Sequence, residues 1–435
     1  MATVGFHTLG CKVNQYDTDA MIMQFKRQGY QIVDFDDPTA DVYVINTCTV
    51  TNISDRKSRQ MVRRAHRKNP EAKIVVVGCF AQTSPDEAIK LPGVSFVLGT
   101  KDRSRIVELL AEKKPDLPYS LVENITHNVE FEEDSVALFE GRSRASLKIQ
   151  DGCNQFCSYC RVPYARGRSR SRSVTNVLDQ VKSIVDQGYQ EIVLTGVHLG
   201  AFGKDLEPEY SVAKMAEAIT SVSGVVRIRI SSIDPNEIDQ EFLEFVAYNP
   251  KVCKHLHVPL QSGTDRILAK MKRKYTTHEY KDIVTKARSL IADIGFSTDV
   301  IVGFPGEDDA LFADTYQFIK QVGFSKLHVF RYSPRSGTLA ATYPDPVDHR
   351  TKEFRSQQLM ALSDRMALEF HQGFLHRSVE VLVESVDQRQ AVGLTSQYVR
   401  VTATLPQDLV NGMEGKLINV RIQTVDARGM AGILE

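Results

Sequence analysis

The chain has 435 residues, room for three domains at about 150 residues per folding unit, which excludes a small disulfide-stapled scaffold. Hydrophobic residues make up 42% and charged residues 25%, and no apolar run approaches the ~20 residues that cross a bilayer, so a soluble protein without a membrane partner is expected. Lys plus Arg and Asp plus Glu balance at 54 each, so any basic footprint for nucleic acid must be local. The first residues, MATVGFHTLGCKVNQYD, contain no basic stretch leading into an apolar signal core, and the cytoplasm is the expected compartment.

Residues 1–112 alternate strand and helix. GFHTLG, DVYVIN and KIVVVG are apolar enough for strands buried on both faces of a parallel sheet, and stretches such as SRQMVRRAHRK show helical spacing, which predicts an α/β, Rossmann-like amino-terminal domain. Cys11, Cys48 and Cys79 stand at or just beyond the ends of those runs. In such sheets the carboxyl ends share one crevice, so thiols distant in sequence are placed to converge. Residues 113–144 mix Pro, acidic and polar residues without a sustained period and read as a linker. Over 145–370, ASLKIQ, EIVLTG, VRIRISS, HLHVPLQS, STDVIVG and KLHVFRYS alternate with helical patterns, predicting a partial (β/α)6, TIM-like barrel with its chemistry at the carboxyl ends of the strands. After the helical pattern KEFRSQQLMALSDRMALEFHQ, the runs VEVLVES, YVRVTATL and KLINVRIQTV place a small all-β barrel in 371–435.

Seven cysteines, an odd number in a chain without an export signal, point to metal or catalytic thiols. Cys153, Cys157 and Cys160 form a CxxxCxxC loop at the end of the first barrel strand. A structural zinc site needs four closed ligands, and neither a fourth Cys nor a His lies between residues 145 and 175. Three thiolates on one loop suit a cubane iron-sulfur cluster with one iron open; the alternative is a zinc knuckle completed from elsewhere. Cys253 reads as a structural thiol, and His198 and His257 as packing histidines near strand ends.

With this loop on a six-strand barrel, the sequence resembles the radical S-adenosylmethionine (SAM) superfamily. The resemblance implies that SAM binds the open iron and is cleaved to a 5′-deoxyadenosyl radical. It places Tyr159 near the adenine of SAM, Thr195 and Gly196 at the methionine amino group, and Ser231, Ser232, Gln261, Ser262 and Gly303 around the ribose and adenine. For each of these, a capping or turn residue is the bland alternative.

HTLGCKVNQYD, INTCTVT, VVGC, DGCNQFCSYC, PYARG, SSIDPNEI, QSGTDRIL and VIVGFPGE extend the likeness over nearly the full length. On these motifs the chain resembles the methylthiotransferases: an amino-terminal cluster domain, a radical SAM barrel and a TRAM domain. That family implies two 4Fe-4S clusters, one on catalytic Cys153, Cys157 and Cys160 and one on Cys11, Cys48 and Cys79, with two SAM molecules used per product. The motifs look most like the branch that methylthiolates carbon 2 of N6-threonylcarbamoyladenosine at position 37 of tRNA. The alternatives are the branches acting on isopentenyladenosine-37 or on a ribosomal protein aspartate and, in another class, a non-catalytic iron-sulfur RNA-binding or sensor protein. The partners implied are a tRNA anticodon loop and a flavodoxin or ferredoxin type electron donor, with the enzyme a monomer. Arg161, Arg166, Arg168, Arg170 and Arg172 follow the cluster loop with no intervening acid and are the expected RNA contacts.

Overall fold

The computed structural model describes residues 1–101, 103–112, 118–125, 130–133, 142–409 and 412–435, so most of the stretch read as a linker lies outside the described residues. The amino-terminal unit is a six-stranded sheet of β1 (Thr3–Thr8), β2 (Gln31–Val33), β3 (Val42–Thr47), β4 (Lys73–Gly78), β5 (Val94–Val97) and β6 (Tyr119–Ser120). Its order is β2-β1-β3-β4-β5-β6 and every pairing is parallel. All six residues of β3 are buried, Tyr43 and Ile45 in one apolar layer and Val42 and Val44 in the other, as the unbroken apolar run requires. The register pairs Thr8 with Asn46 and Thr47 with Gly78, which aligns the strand ends in a row. Chain order reverses between β1 and β3, and the crevice at that reversal is where Cys11 and Cys48 follow. The edge strand β6 was not foreseen; it falls within the segment read as a linker.

The central unit starts with β7 (Arg144–Lys148), followed by a small antiparallel pair, β8 (Gln150–Asp151) and β9 (Arg170–Ser171). Then come β10 (Glu191–Thr195), β11 (Arg227–Ile230), β12 (His255–His257), β13 (Gly295–Val302) and β14 (Lys326–Arg331). The parallel sheets β7-β10-β11 and β12-β13-β14 are stitched by parallel bridges Ile228 to Val252 and Ser232 to His257, so six strands curve in sequence order into a partial barrel. Helices Val174–Asp186, Val212–Ser221, Gln240–Tyr248, Thr277–Leu290 and Asp309–Val322 belong to this unit; Ser173, Ser211, Asp239, Thr276 and Asp308 each accept a first-turn backbone N–H and fix where they begin. Strand alternation divides the faces. Ala145, Leu147, Ile192, Leu194, Ile228 and Leu256 join the apolar core with the helices, which turns Arg144, Ser146, Glu191, Arg229, His257 and Asp299 into the barrel interior. The lumen is therefore polar.

Helix His349–Gln372 links this unit to the last one: Ser363 Oγ accepts from Leu327 N (3.0 Å), and His371 Nδ1 lies 2.7 Å from Asp426 O. The carboxyl-terminal strands β15 (Ser378–Asp387), β16 (Gln390–Thr395), β17 (Arg400–Thr404), β18 (Leu417–Asp426) and β19 (Gly429–Leu434) form a closed barrel in the order β15-β16-β17-β19-β18. Strands β16 and β19 escaped the sequence reading because each is broken by a glycine. A Cβ on Gly393 or Gly432 would lie 2.1 Å from the carbonyl oxygen of Leu382 or Arg421, so neighbouring strands approach too closely for a side chain. The loop after β16 reaches into the central barrel, where the Tyr398 ring meets His255 (5.0 Å between centres) and the Arg229 guanidinium (4.8 Å). Among the described residues, no helix is long and apolar enough to cross a membrane.

Candidate functional site

The CxxxCxxC loop leaves the carboxyl end of β8 at Gly152, whose φ of +71° and whose Cβ position, 1.9 Å from Arg168 O, both demand glycine. The loop is pinned by Cys153 N donating to Gly167 O (3.0 Å) and by Ser158, whose N and Oγ donate to Met271 O and Lys270 O. Its sulfurs face donors. The backbone N–H groups of Gln155 and Val162 point at Cys153 Sγ and Cys160 Sγ (3.4 Å each), and Arg273 Nη1 lies 3.2 Å from Cys157 Sγ. Burial pushes the Cys157 thiol up and that of Cys160 up to about 12. His198 was read as a packing residue, but it pairs with Glu237 (2.9 Å). Burial works to lower its pKa, and hydrogen bonds to Cys153 and Glu237 outweigh that and push it up to about 10.

The second trio also comes together. Gly10, with φ +108°, packs so closely on Cys48 that an added Cβ would stand 2.9 Å from its Cβ, which sets Cys11 beside Cys48. Asn14 joins the strand ends: its Nδ2 donates to Leu9 O (2.7 Å) and Thr47 O (3.0 Å), and its Oδ1 lies 3.8 Å from Cys79 Sγ. Cys48 and Cys79 are buried and Cys11 is exposed. Burial pushes Cys79 up to about 12 against the opposing charge of Arg166, and the other two thiols add to the rise. Among the described residues, no three His, Cys, Asp or Glu side chains are gathered closely enough to hold a single metal ion. A cubane takes its thiolates at separate corners, and two trios with N–H and guanidinium donors aimed at sulfur fit that body.

The expected SAM contacts occupy the carboxyl rim of the barrel. Thr195 ends β10, Ser231 and Ser232 follow β11, Gln261 and Ser262 follow β12, and Gly303 follows β13. Among the described residues, the buried Thr195 Oγ1 finds no hydrogen-bond partner, as where a bound group completes the bonding. Gly196 lies against Gln150, Gln261 has φ +66°, and Ser262 Oγ is 3.4 Å from Thr264 Oγ1. Gly303 is explained by φ +71° and by Lys352, which fills its Cβ space. Tyr159 packs edge-on to Phe304 (6.5 Å). A cavity of about 310 Å³ beside the loop is lined by Gln155, His198, Lys204, Glu237 and Lys274 among others, but not by these rim residues.

The arginines expected at RNA divide. Arg166, Arg170 and Arg172 are buried and committed, and are withdrawn as RNA contacts. Arg166 Nη1 bonds both carboxylate oxygens of Asp151 (3.0 and 3.1 Å), while its Nη2 reaches Asp17 (2.7 Å) and Asn14 Oδ1 (2.5 Å). Arg170 pairs with Asp151 (3.2 Å), and Arg172 donates to Tyr16 OH (3.0 Å). Burial alone would raise Asp17, but Arg103, Lys148 and Arg166 hold it well below the usual carboxylate range. Arg161 is half-buried, donating to Thr83 O (3.0 Å); Arg168 is exposed, 4.6 Å from the Phe156 ring centre. Sequence spacing gave no warning of Asn14, or of the structural roles of Arg166 and Arg273, because Arg166 meets Asn14 and Arg273 meets Cys157 across more than a hundred residues.

Residues 3–99 match the family described as "Uncharacterized protein family UPF0004", and residues 147–319 match the radical SAM superfamily. A relative in Bacillus subtilis (strain 168), named threonylcarbamoyladenosine tRNA methylthiotransferase MtaB, is 46% identical and covers 97% of this chain and 94% of its own length. The chain belongs to the radical SAM methylthiotransferase family. Another family member, the tRNA-2-methylthio-N(6)-dimethylallyladenosine synthase of Thermoanaerobacter pseudethanolicus, is 35% identical over 98% of this chain and 91% of its own. The solved structure of the radical SAM methyltransferase TsrM from Kitasatospora setae shares the fold of this methylthiotransferase, with TM-score 0.58 at 14% identity over 78% of this chain and 74% of that one.

Proposed function

We propose that the protein methylthiolates carbon 2 of N6-threonylcarbamoyladenosine-37 in the anticodon loop of tRNA. The observation that carries this reading is a single one. Two cysteine trios sit on facing units at one seam, and Arg166 touches both the Asp151 that precedes Cys153 and the Asn14 that borders Cys79. The higher identity to the threonylcarbamoyladenosine enzyme, 46% against 35%, favours that branch.

In this reading Cys153, Cys157 and Cys160 hold one 4Fe-4S cluster and Cys11, Cys48 and Cys79 hold the other. Bound there, the clusters and SAM supply hydrogen abstraction at the target carbon and a methylated sulfur to replace the hydrogen. The protein's part is to position and protect. Arg273 and the N–H groups of Gln155 and Val162 stabilise the thiolates of the first site. Tyr159, Thr195, Gly196, Ser231, Ser232, Gln261, Ser262 and Gly303 orient SAM from the rim. Arg166 holds the two cysteine-bearing segments in register, so that carbon and sulfur meet. An anticodon loop offers unstacked bases, so the adenine is reached without opening a duplex. Units 1–112, 145–370 and 371–435 act as a cytoplasmic monomer, with electrons from a flavodoxin or ferredoxin.

Mass spectrometry of tRNA nucleosides from cells with and without the protein tests the reaction and the base together. Loss of 2-methylthio-threonylcarbamoyladenosine is expected, and loss of the isopentenyl derivative alone would overturn the branch. Anaerobic reconstitution should give about eight irons per chain, against about four for a single cluster.

A further inference from the structure

Lys12 follows Cys11 as the first residue of helix Lys12–Arg27, and its side chain reaches out of the amino-terminal unit to the barrel residues Arg144, Ser146 and Val193. Its Nζ lies 5.6 Å from the ring centre of Tyr398, the residue that the carboxyl-terminal barrel sends into the same lumen. With Gln15, Arg144, Ser146, Val193 and Glu384, Lys12 lines a cavity of about 390 Å³. It is water-accessible although protein surrounds it, as a cavity wall is.

Among the described residues, the charged groups beside it are paired, Arg142 on the same cavity wall with Asp19 (2.5 Å). Arg144 pairs with Glu384 (2.5 Å), Arg227 and Arg229 with Glu191 (2.7 and 2.8 Å), and His257 with Asp299 (3.3 Å). Among the described residues Lys12 has no carboxylate at ion-pair distance. The surplus positive charge shows on Tyr398: burial works to raise its phenol, yet Lys12, Arg144 and Arg229 bring it below the ordinary value. A cation on a polar cavity wall attracts an anion of matching size.

On adenine, C2 and the N6-bearing carbon flank N1 on one edge of the ring. A base whose C2 faces the segment of Cys11 therefore directs its N6 substituent into the neighbouring space. A threonylcarbamoyl group ends in a carboxylate, whereas an isopentenyl group ends in hydrocarbon. We propose that Lys12 is a specificity residue whose ammonium binds the carboxylate of the N6 substituent inside the barrel and so selects the anionic base over neutral ones. The inference rests on the tRNA reading above.

The test uses the full-length, anaerobically reconstituted protein. Its probes are an anticodon stem-loop carrying threonylcarbamoyladenosine and the same RNA with the threonine carboxylate converted to its amide. Affinity is read by fluorescence anisotropy and KM by product mass spectrometry. Wild type should prefer the acid by about ten- to hundredfold, the usual size of a charge-assisted hydrogen bond. Lys12→Met should bring that ratio close to one by weakening the acid alone, and Lys12→Arg should restore most of it. Lys12→Gln serves as a second neutral variant, and iron content equal to wild type shows that the site at Cys11 is intact. Neutral variants with normal iron that keep the preference overturn the inference and leave the tRNA reading standing. A wild type that ignores both probes and modifies an isopentenyladenosine stem-loop overturns both.

Discussion

Arg166 bonds Asp151, Asp17 and Asn14 at once while almost completely buried, so its replacement leaves two carboxylates short of a partner in a place water does not reach. Arg166→Met should cost about 3–5 kcal/mol in urea unfolding, the usual penalty for breaking a buried pair by removing one side. Arg168→Ser, two residues away and exposed, should change stability by less than about 0.5 kcal/mol. In sequence the two arginines look alike, because both belong to one basic run. What separates them is the seam through which that run passes, where Asp17 and Asp151 meet and must be neutralised. The six cysteines proposed as cluster ligands stood out for the opposite reason: thiols at fixed spacing or at strand ends have few other uses in a chain without disulfides.

Among elements, β10 shows how one strand serves two purposes. Ile192 and Leu194 go to the helix side, and Glu191 turns inward to Arg227, Arg229 and Arg144. Burial would raise Glu191, but Arg229 and its neighbours hold the carboxyl down to about 2, below the ordinary 4.5. A depressed carboxylate gives stability that is present above pH ~4.5 and is lost as pH falls through about 2, worth about 3 kcal/mol. Glu191→Gln should therefore lower the urea midpoint at pH 7, and the gap from wild type should close as pH falls toward 2. A gap of constant size would refute the assignment. All six barrel strands were visible as apolar runs bounded by small residues. Strands β16 and β19 were not, since the glycines that a tight barrel needs weaken the strand signal.

For the molecule as a whole, the amino-terminal unit is clamped onto the rim of the barrel. Arg335, in the loop after β14, is buried against Thr49, Asn52 and Asp55, and Thr100 Oγ1 donates to Ala165 O (2.7 Å). Outside the clamp, Arg56, Lys57, Arg63 and Arg67 on helix Asn52–Lys68 are exposed, as is Arg168. Reversing two of them, as in Arg63→Glu with Arg67→Glu, should weaken tRNA binding and flatten the plot of log affinity against log salt by about two. An unchanged slope would place the RNA elsewhere. The sequence by itself carried the chemical reading: periodicity set strands and helices, and cysteine spacing at strand ends marked the two proposed cluster sites, because both are local properties of the chain. The tertiary structure alone decided which charges remain available. An arginine or lysine reaches its partner across elements more than a hundred residues apart, and only the packing of the units shows that Arg166 is spent holding the seam while Lys12, among the described residues, meets no carboxylate in the barrel.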